Sequence, residues 1–84
     1  MPTHSRPFVA LGFRTTHEAL AAERVLHTAG VDAVPVPAPK SFGALCGIAM
    51  RFPPDQEPGA IAALADAGIE PERRVTIEDR VSTP

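Results

Sequence analysis

Val34-Pro35-Val36-Pro37-Ala38-Pro39 places a proline at every second position, between β-branched and small residues. Valine favours an extended chain, and proline has no N–H to give to a ladder. Residues two apart in a strand aim their backbone groups to the same side. All three prolines can therefore line one outer edge while Val34, Val36 and Ala38 pair inward. The reading over Val31 to Pro39 is an edge strand, its prolines blocking edge-to-edge aggregation.

Working outward, Ile48, Met50 and Phe52 alternate with Ala49 and Arg51 and predict a neighbouring strand. On the other side, Thr15 with Glu18 three residues later forms a capping-box signature for a helix running to Ala29. Its buried stripe is expected at Ala19, Ala22, Val25, Leu26 and Ala29, with Gly30 closing it. Phe8 to Phe13 reads as a first strand with Val9, Leu11 and Phe13 in the core, and Met1 to Pro7 as a loose tail. After the Pro53 to Gly59 turn, a second helix is expected to bury Ile61, Leu64 and Ala65 and to end at Gly68. A last strand, Arg74 to Glu78, would face Val75 and Ile77 inward, and Arg80 to Pro84 would fray.

The order is strand, helix, strand, strand, helix, strand, and Ala29-Gly30-Val31 and Ala67-Gly68-Ile69 mark it as two βαβ halves. The simplest closed arrangement is α+β: a ferredoxin-like βαββαβ sandwich, a four-stranded antiparallel sheet with both helices on one face. Its strand order, 4-1-3-2, independently places the second strand at an edge. The 84 residues suit one domain, with an ordered core over about 8–79.

Composition narrows the function classes. One cysteine excludes an internal disulfide and makes a reduced, cytoplasmic setting the default. No signal-peptide run and no membrane-length apolar stretch is visible. A net charge of −2 without a basic block, and only four aromatic residues, argue against nucleic acid. The glycine-containing loop lacks a phosphate-loop ending, and the histidines do not group with cysteines as structural zinc requires, so neither a cofactor nor a metal is expected.

The chemistry concentrates at Cys46, between Gly43 and Gly47, in the loop joining the second and third strands. A thiolate attacks electrophilic sulfur and carries sulfur or selenium. The topology sets this loop at the same end of the domain as the start of the first helix, at Thr15, Thr16 and His17. A helix N-terminus carries unpaired N–H groups and partial positive charge, and such settings lower a cysteine pKa from ~8.5 to as little as ~3.5–7.5. Gly43 and Gly47 allow N–H groups to be aimed at an anion, and Lys40 brings a positive charge. The other reading of the same residues is a buried, inert cysteine, since Cys46 shares strand parity with Ile48 and Met50. Asp32, Asp55, Glu57, Asp66 and Glu70 read as solvated surface, and His17 as a helix-surface residue.

Thr16-His17-Glu18-Ala19-Leu20-Ala21-Ala22-Glu23, Ala29-Gly30-Val31, Pro37-Ala38-Pro39 and Cys46-Gly47-Ile48-Ala49-Met50-Arg51-Phe52 together resemble the selenium/sulfur carrier-like family of small bacterial domains. The resemblance spans roughly Phe8 to Ile69. It implies a carrier or accessory protein rather than a stand-alone enzyme, with Cys46 accepting a persulfide or selenopersulfide. Its partners would be sulfur or selenium donor and acceptor proteins. Two rival readings stand beside it: a non-catalytic regulatory or protein-interaction module with a structural cysteine, and soft-metal binding by Cys46 with His17. Phe8 and Ala10, on the sheet face away from the helices, offer a seat for a homodimer.

Overall fold

In the computed structural model, which describes residues 3–43 and 47–82, β2 (Val34–Pro37) lies at an edge and pairs with β3 (Ile48–Phe52). The Ala38 N–H donates to the Gly47 carbonyl at 3.0 Å, continuing a register in which Val36 faces Ala49 and Val34 faces Arg51. Bonded and non-bonded pairs alternate along an antiparallel ladder. Pro35 and Pro37 therefore direct their nitrogens to the open side. The strand is shorter than expected because Val31 and Ala33 instead turn into the core, where both are buried.

The other elements are β1 (Thr3–Gly12), α1 (Thr16–Thr28), α2 (Glu57–Asp66) and β4 (Arg73–Ser82). The antiparallel sheet runs β2-β3-β1-β4, the expected order read from the other edge, and the topology is ferredoxin-like. Val9, Leu11, Met50 and Phe52 on one sheet face pack with Ala19, Ala22 and Leu26 of α1 and Ala60 and Leu64 of α2.

Helix ends follow local chemistry. The Thr15 hydroxyl accepts from the Glu18 N–H at 3.1 Å. Both helices finish in the same Schellman motif. Gly30 N–H donates to His27 O and Val31 N–H to Leu26 O; Gly68 N–H donates to Ala65 O and Ile69 N–H to Leu64 O. Gly30 and Gly68 have φ of 81° and 73°, the left-handed conformation that closes such an end. The duplicated Ala-Gly-aliphatic signature is thus a duplicated cap.

Several further expectations are corrected. The Thr3–Pro7 segment is no loose tail, and the chain after Arg80 is paired as far as Ser82: Thr3 pairs with Ser82 and Pro7 with Glu78, extending β1 and β4 as a two-stranded ribbon. Val75 and Ile77 do not face the helices. Their register opposite Ala10 and Phe8 sends them to the other face. On α2, Ala60 and Leu64 are buried while Ile61 is 40% exposed and Ala65 lies at the surface. That helix is apolar nearly all round and starts earlier than expected, with Pro58 in its first turn, so periodicity does not fix its rotation. Ala29 caps α1 at the surface and does not extend its buried stripe.

The face opposite the helices is also covered. A 3₁₀ turn at Lys40–Phe42 in the β2–β3 connection folds over it, and Phe42, 3% exposed, packs against Ala10 and Ala49. Val36, Ala38, Val75 and Ile77 complete this second, smaller apolar cluster.

Candidate functional site

Gly12 pairs with Ala49 of β3 and with Arg73 of β4. The β1–α1 turn, the β2–β3 connection and the start of β4 therefore share one end of the sheet. Thr15, Thr16 and His17 lie at this end, all exposed. Thr15 caps α1 and its carbonyl accepts the Ala19 N–H. The N–H groups of Thr16 and His17, in the first turn, have no partner within the helix.

Lys40 and Gly43 approach the same end from the opposite side of the sheet. Lys40 opens the 3₁₀ turn and is exposed. Gly43 closes it with φ 69° and ψ −132°, its N–H donating to Lys40 O at 3.1 Å. A Cβ added there would meet nothing within 4 Å, so glycine is needed for its backbone angle, not for space. Gly47 is exposed, and its carbonyl anchors Ala38. Cys46 and the two residues before it, Ala44 and Leu45, lie outside the described residues. The site as described is a frame: the first turn of α1 on the helix side, Lys40–Gly43 on the other, and Gly47 leading into β3.

Two features of this region were not foreseen from the sequence. Phe42 fastens the connection to the sheet; the small residues Ala10 and Ala49 beneath it were the only signal. Arg51 lies across the same face. Its guanidinium carbon is 4.1 Å from the centroid of the Phe8 ring and Nη1 is 3.2 Å from Asp79 Oδ2. That separation is an ion pair without hydrogen-bond alignment, since buried Nε and Nη1 make no hydrogen bond. Ala10 lies fully buried in the Phe42 cluster, and half-buried Phe8 lies under Arg51, so both residues of the suggested dimer seat make contacts within the chain.

A shallow groove of about 600 Å³ opens beside the α1 N-terminus, with Ile61, Ala65 and Ile69 as its floor and Arg14, Glu18 and Glu72 among its walls. Arg14 pairs with Glu72, and this hydrogen bond holds the guanidinium pKa above its ordinary value. Elsewhere, Glu57 is not free surface: Arg74 Nη2 donates to its Oε1 at 2.7 Å and holds the carboxyl below its ordinary pKa, against a smaller opposing effect of burial. Asp32 is tied to Gln56, whose Oε1 accepts the Asp32 N–H at 2.8 Å. His27 donates from Nε2 to the Ala33 carbonyl at 2.8 Å.

Among the described residues, no helix is long and apolar enough to cross a membrane, and no three His, Cys, Asp or Glu side chains group to hold a metal ion. No curated protein and no solved structure gives a significant match to the chain. A family model does match, over residues 9–75, which takes in β1 from Val9, both helices, the whole Cys46 connection and the start of β4: the chain belongs to the family described as "Putative Se/S carrier protein-like".

Proposed function

We propose that the protein carries sulfur or selenium on Cys46 as a persulfide or selenopersulfide. The observation that carries this reading is the family match across residues 9–75, which contains the chain's only cysteine. The described frame supports it. Exposed first-turn N–H groups of α1 and the Lys40 ammonium stand at the end of the sheet where the connection emerges, and both favour an anionic sulfur.

The transfer is an exchange. The Cys46 thiolate attacks the outer sulfur of a donor persulfide. A new S–S bond forms as the donor's S–S bond breaks, and the donor leaves as a thiolate. The terminal sulfur keeps its proton, and no net oxidation occurs. The same attack by an acceptor's thiolate moves the terminal atom onward and restores Cys46. With one cysteine the chain has no resolving thiol to discharge the persulfide into an internal disulfide.

Intact-mass measurement after incubation with a persulfide donor tests this. The expected result is a gain of one sulfur atom, lost in Cys46→Ser and reversed by a thiol acceptor. No gain in the unmodified chain, or an equal gain in Cys46→Ser, overturns it. The pH dependence of alkylation by iodoacetamide adds a second reading: a midpoint below ~8.5 is expected for a thiolate stabilised by this frame. Labelling only after denaturation would identify a buried structural cysteine.

A further inference from the structure

We propose that β4 is a self-recognition edge, pairing antiparallel with β4 of a second copy about a twofold axis at Thr76. β4 ends the sheet on the side opposite β2. The phase of the whole sheet follows from one bond. Ala38 donates to Gly47, so odd-numbered residues of β3 bond to β2 and even-numbered ones to β1. Met50 and Phe52 then bond to Leu11 and Val9, leaving Ala10 and Phe8 to bond to Val75 and Ile77. Even-numbered residues of β4, Arg74, Thr76 and Glu78, are left with N–H and C=O groups directed away from the sheet. All three side chains are exposed, and no proline interrupts the strand.

The sequence across that edge is complementary to itself when reversed. About an axis at Thr76, Arg74 opposes the partner's Glu78, Arg73 opposes the partner's Asp79, and Val75 opposes the partner's Ile77. The bonded pairs in this register are Thr76 with its own copy and Arg74 with the partner's Glu78, all even-numbered, as the free backbone groups require. Opposed residues share a face in an antiparallel pair, so opposite charges meet on both faces and the aliphatic pair meets on the face away from the helices. Neighbouring registers are worse. An axis at Val75 opposes Glu72 with Glu78, and one at Ile77 opposes Arg74 with Arg80. Like charges directly opposite each other repel. The product is one continuous sheet with the helices of both copies on the same side. The contact is short beside the ~1,200–2,000 Å² of stable interfaces, so the dimer dissociates on dilution.

Sedimentation equilibrium of the full chain over a concentration series tests this. The expected result is a reversible monomer–dimer exchange, weakened by salt. Thr76→Pro removes the central donor from the open side and is expected to give a folded monomer. Glu78→Arg does so by charge alone, which keeps the test open should the proline variant unfold. Arg74→Glu and Glu78→Arg, each monomeric when separate, are expected to associate when mixed, because each then meets its opposite charge. A chain that stays monomeric at its solubility limit, or a dimer that survives both Thr76→Pro and Glu78→Arg, overturns the proposal.

Discussion

β2 and β4 both end the sheet, but they leave different surfaces. β2 turns the nitrogens of Pro35 and Pro37 outward and carries no titratable group between Val34 and Pro37. β4 runs ten residues without a proline and sets Arg73 and Arg74 near one end against Glu78 and Asp79 further along, with Val75, Thr76 and Ile77 between them. One edge is closed by removing donors; the other keeps its donors and is selective through charge. A sheet edge is a hazard only where any passing strand can pair with it. Prolines refuse all strands, whereas a charge pattern refuses those of the wrong sequence. The Cys46 connection leaves from the closed edge, so a partner approaching the thiol would meet no open ladder at β2.

The comparison has a scale, set by β1 between the edges. Leu11→Ala, at a fully buried position, is expected to cost ~2–5 kcal/mol by denaturant unfolding. An edge substitution that cost as much would break the claim that the edges are marginal to the fold. Gly43→Ala, where the closed edge hands over to the cysteine connection, should cost roughly 1–3 kcal/mol by the same measurement, since the new side chain inherits a left-handed φ. No loss there would mean that the turn rearranges freely. Pro37→Ala should cost only about 0.4–1 kcal/mol, through greater freedom of the unfolded chain. Its larger effect should be on light scattering during prolonged incubation, where a rise is expected because β2 regains a free N–H. Unchanged aggregation would show that the prolines do not guard this edge.

The smallest effect is a pH dependence confined to the β4 side. Arg74 lowers the Glu57 carboxyl below its unfolded pKa. The stability this contributes is present above the ordinary glutamate range and is lost as pH falls through the lowered folded value. Stability curves of the parent and Glu57→Gln should therefore converge in acid and separate slightly above it. Parallel curves would show that the exposed pair contributes nothing measurable.

The fold was legible where a residue's own backbone chemistry decides its place. Prolines without donors located the β2 edge, Thr15 located a helix start, and Gly30 and Gly68 located two helix ends. It was not legible where a tertiary register decides. Ile61, Leu64 and Ala65 fit a stripe as well as Ala60 and Leu64 do, and only contact with the sheet separates them. Val75 and Ile77 alternate correctly as a strand, but their face depends on pairing with Ala10 and Phe8. Arg6 and Pro7 lack apolar alternation, so nothing local announces that they pair with β4. For the site, the topology brought Thr15–His17, Lys40–Gly43 and Gly47 to one end of the sheet. The anchoring of that connection by Phe42 on the far face was hidden, because a lone aromatic in a loop carries no periodicity. Cys46 itself lies outside the described residues; the role proposed for it rests on the family match and is tested by the mass measurement.

Pairing Thr3 with Ser82 and Gly12 with Arg73 has a kinetic consequence. Of the four strands, β1 is the first synthesised and the last inner strand to gain both its neighbours. Closing so long a loop costs entropy before the ladder repays it, and topologies rich in distant contacts fold more slowly than local ones. Until Arg73 to Ser82 leave the ribosome, β1 holds an unmatched row of donors and acceptors beside Phe8 and Val9. During that interval the nascent chain is a better substrate for a chaperone than the finished protein ever is.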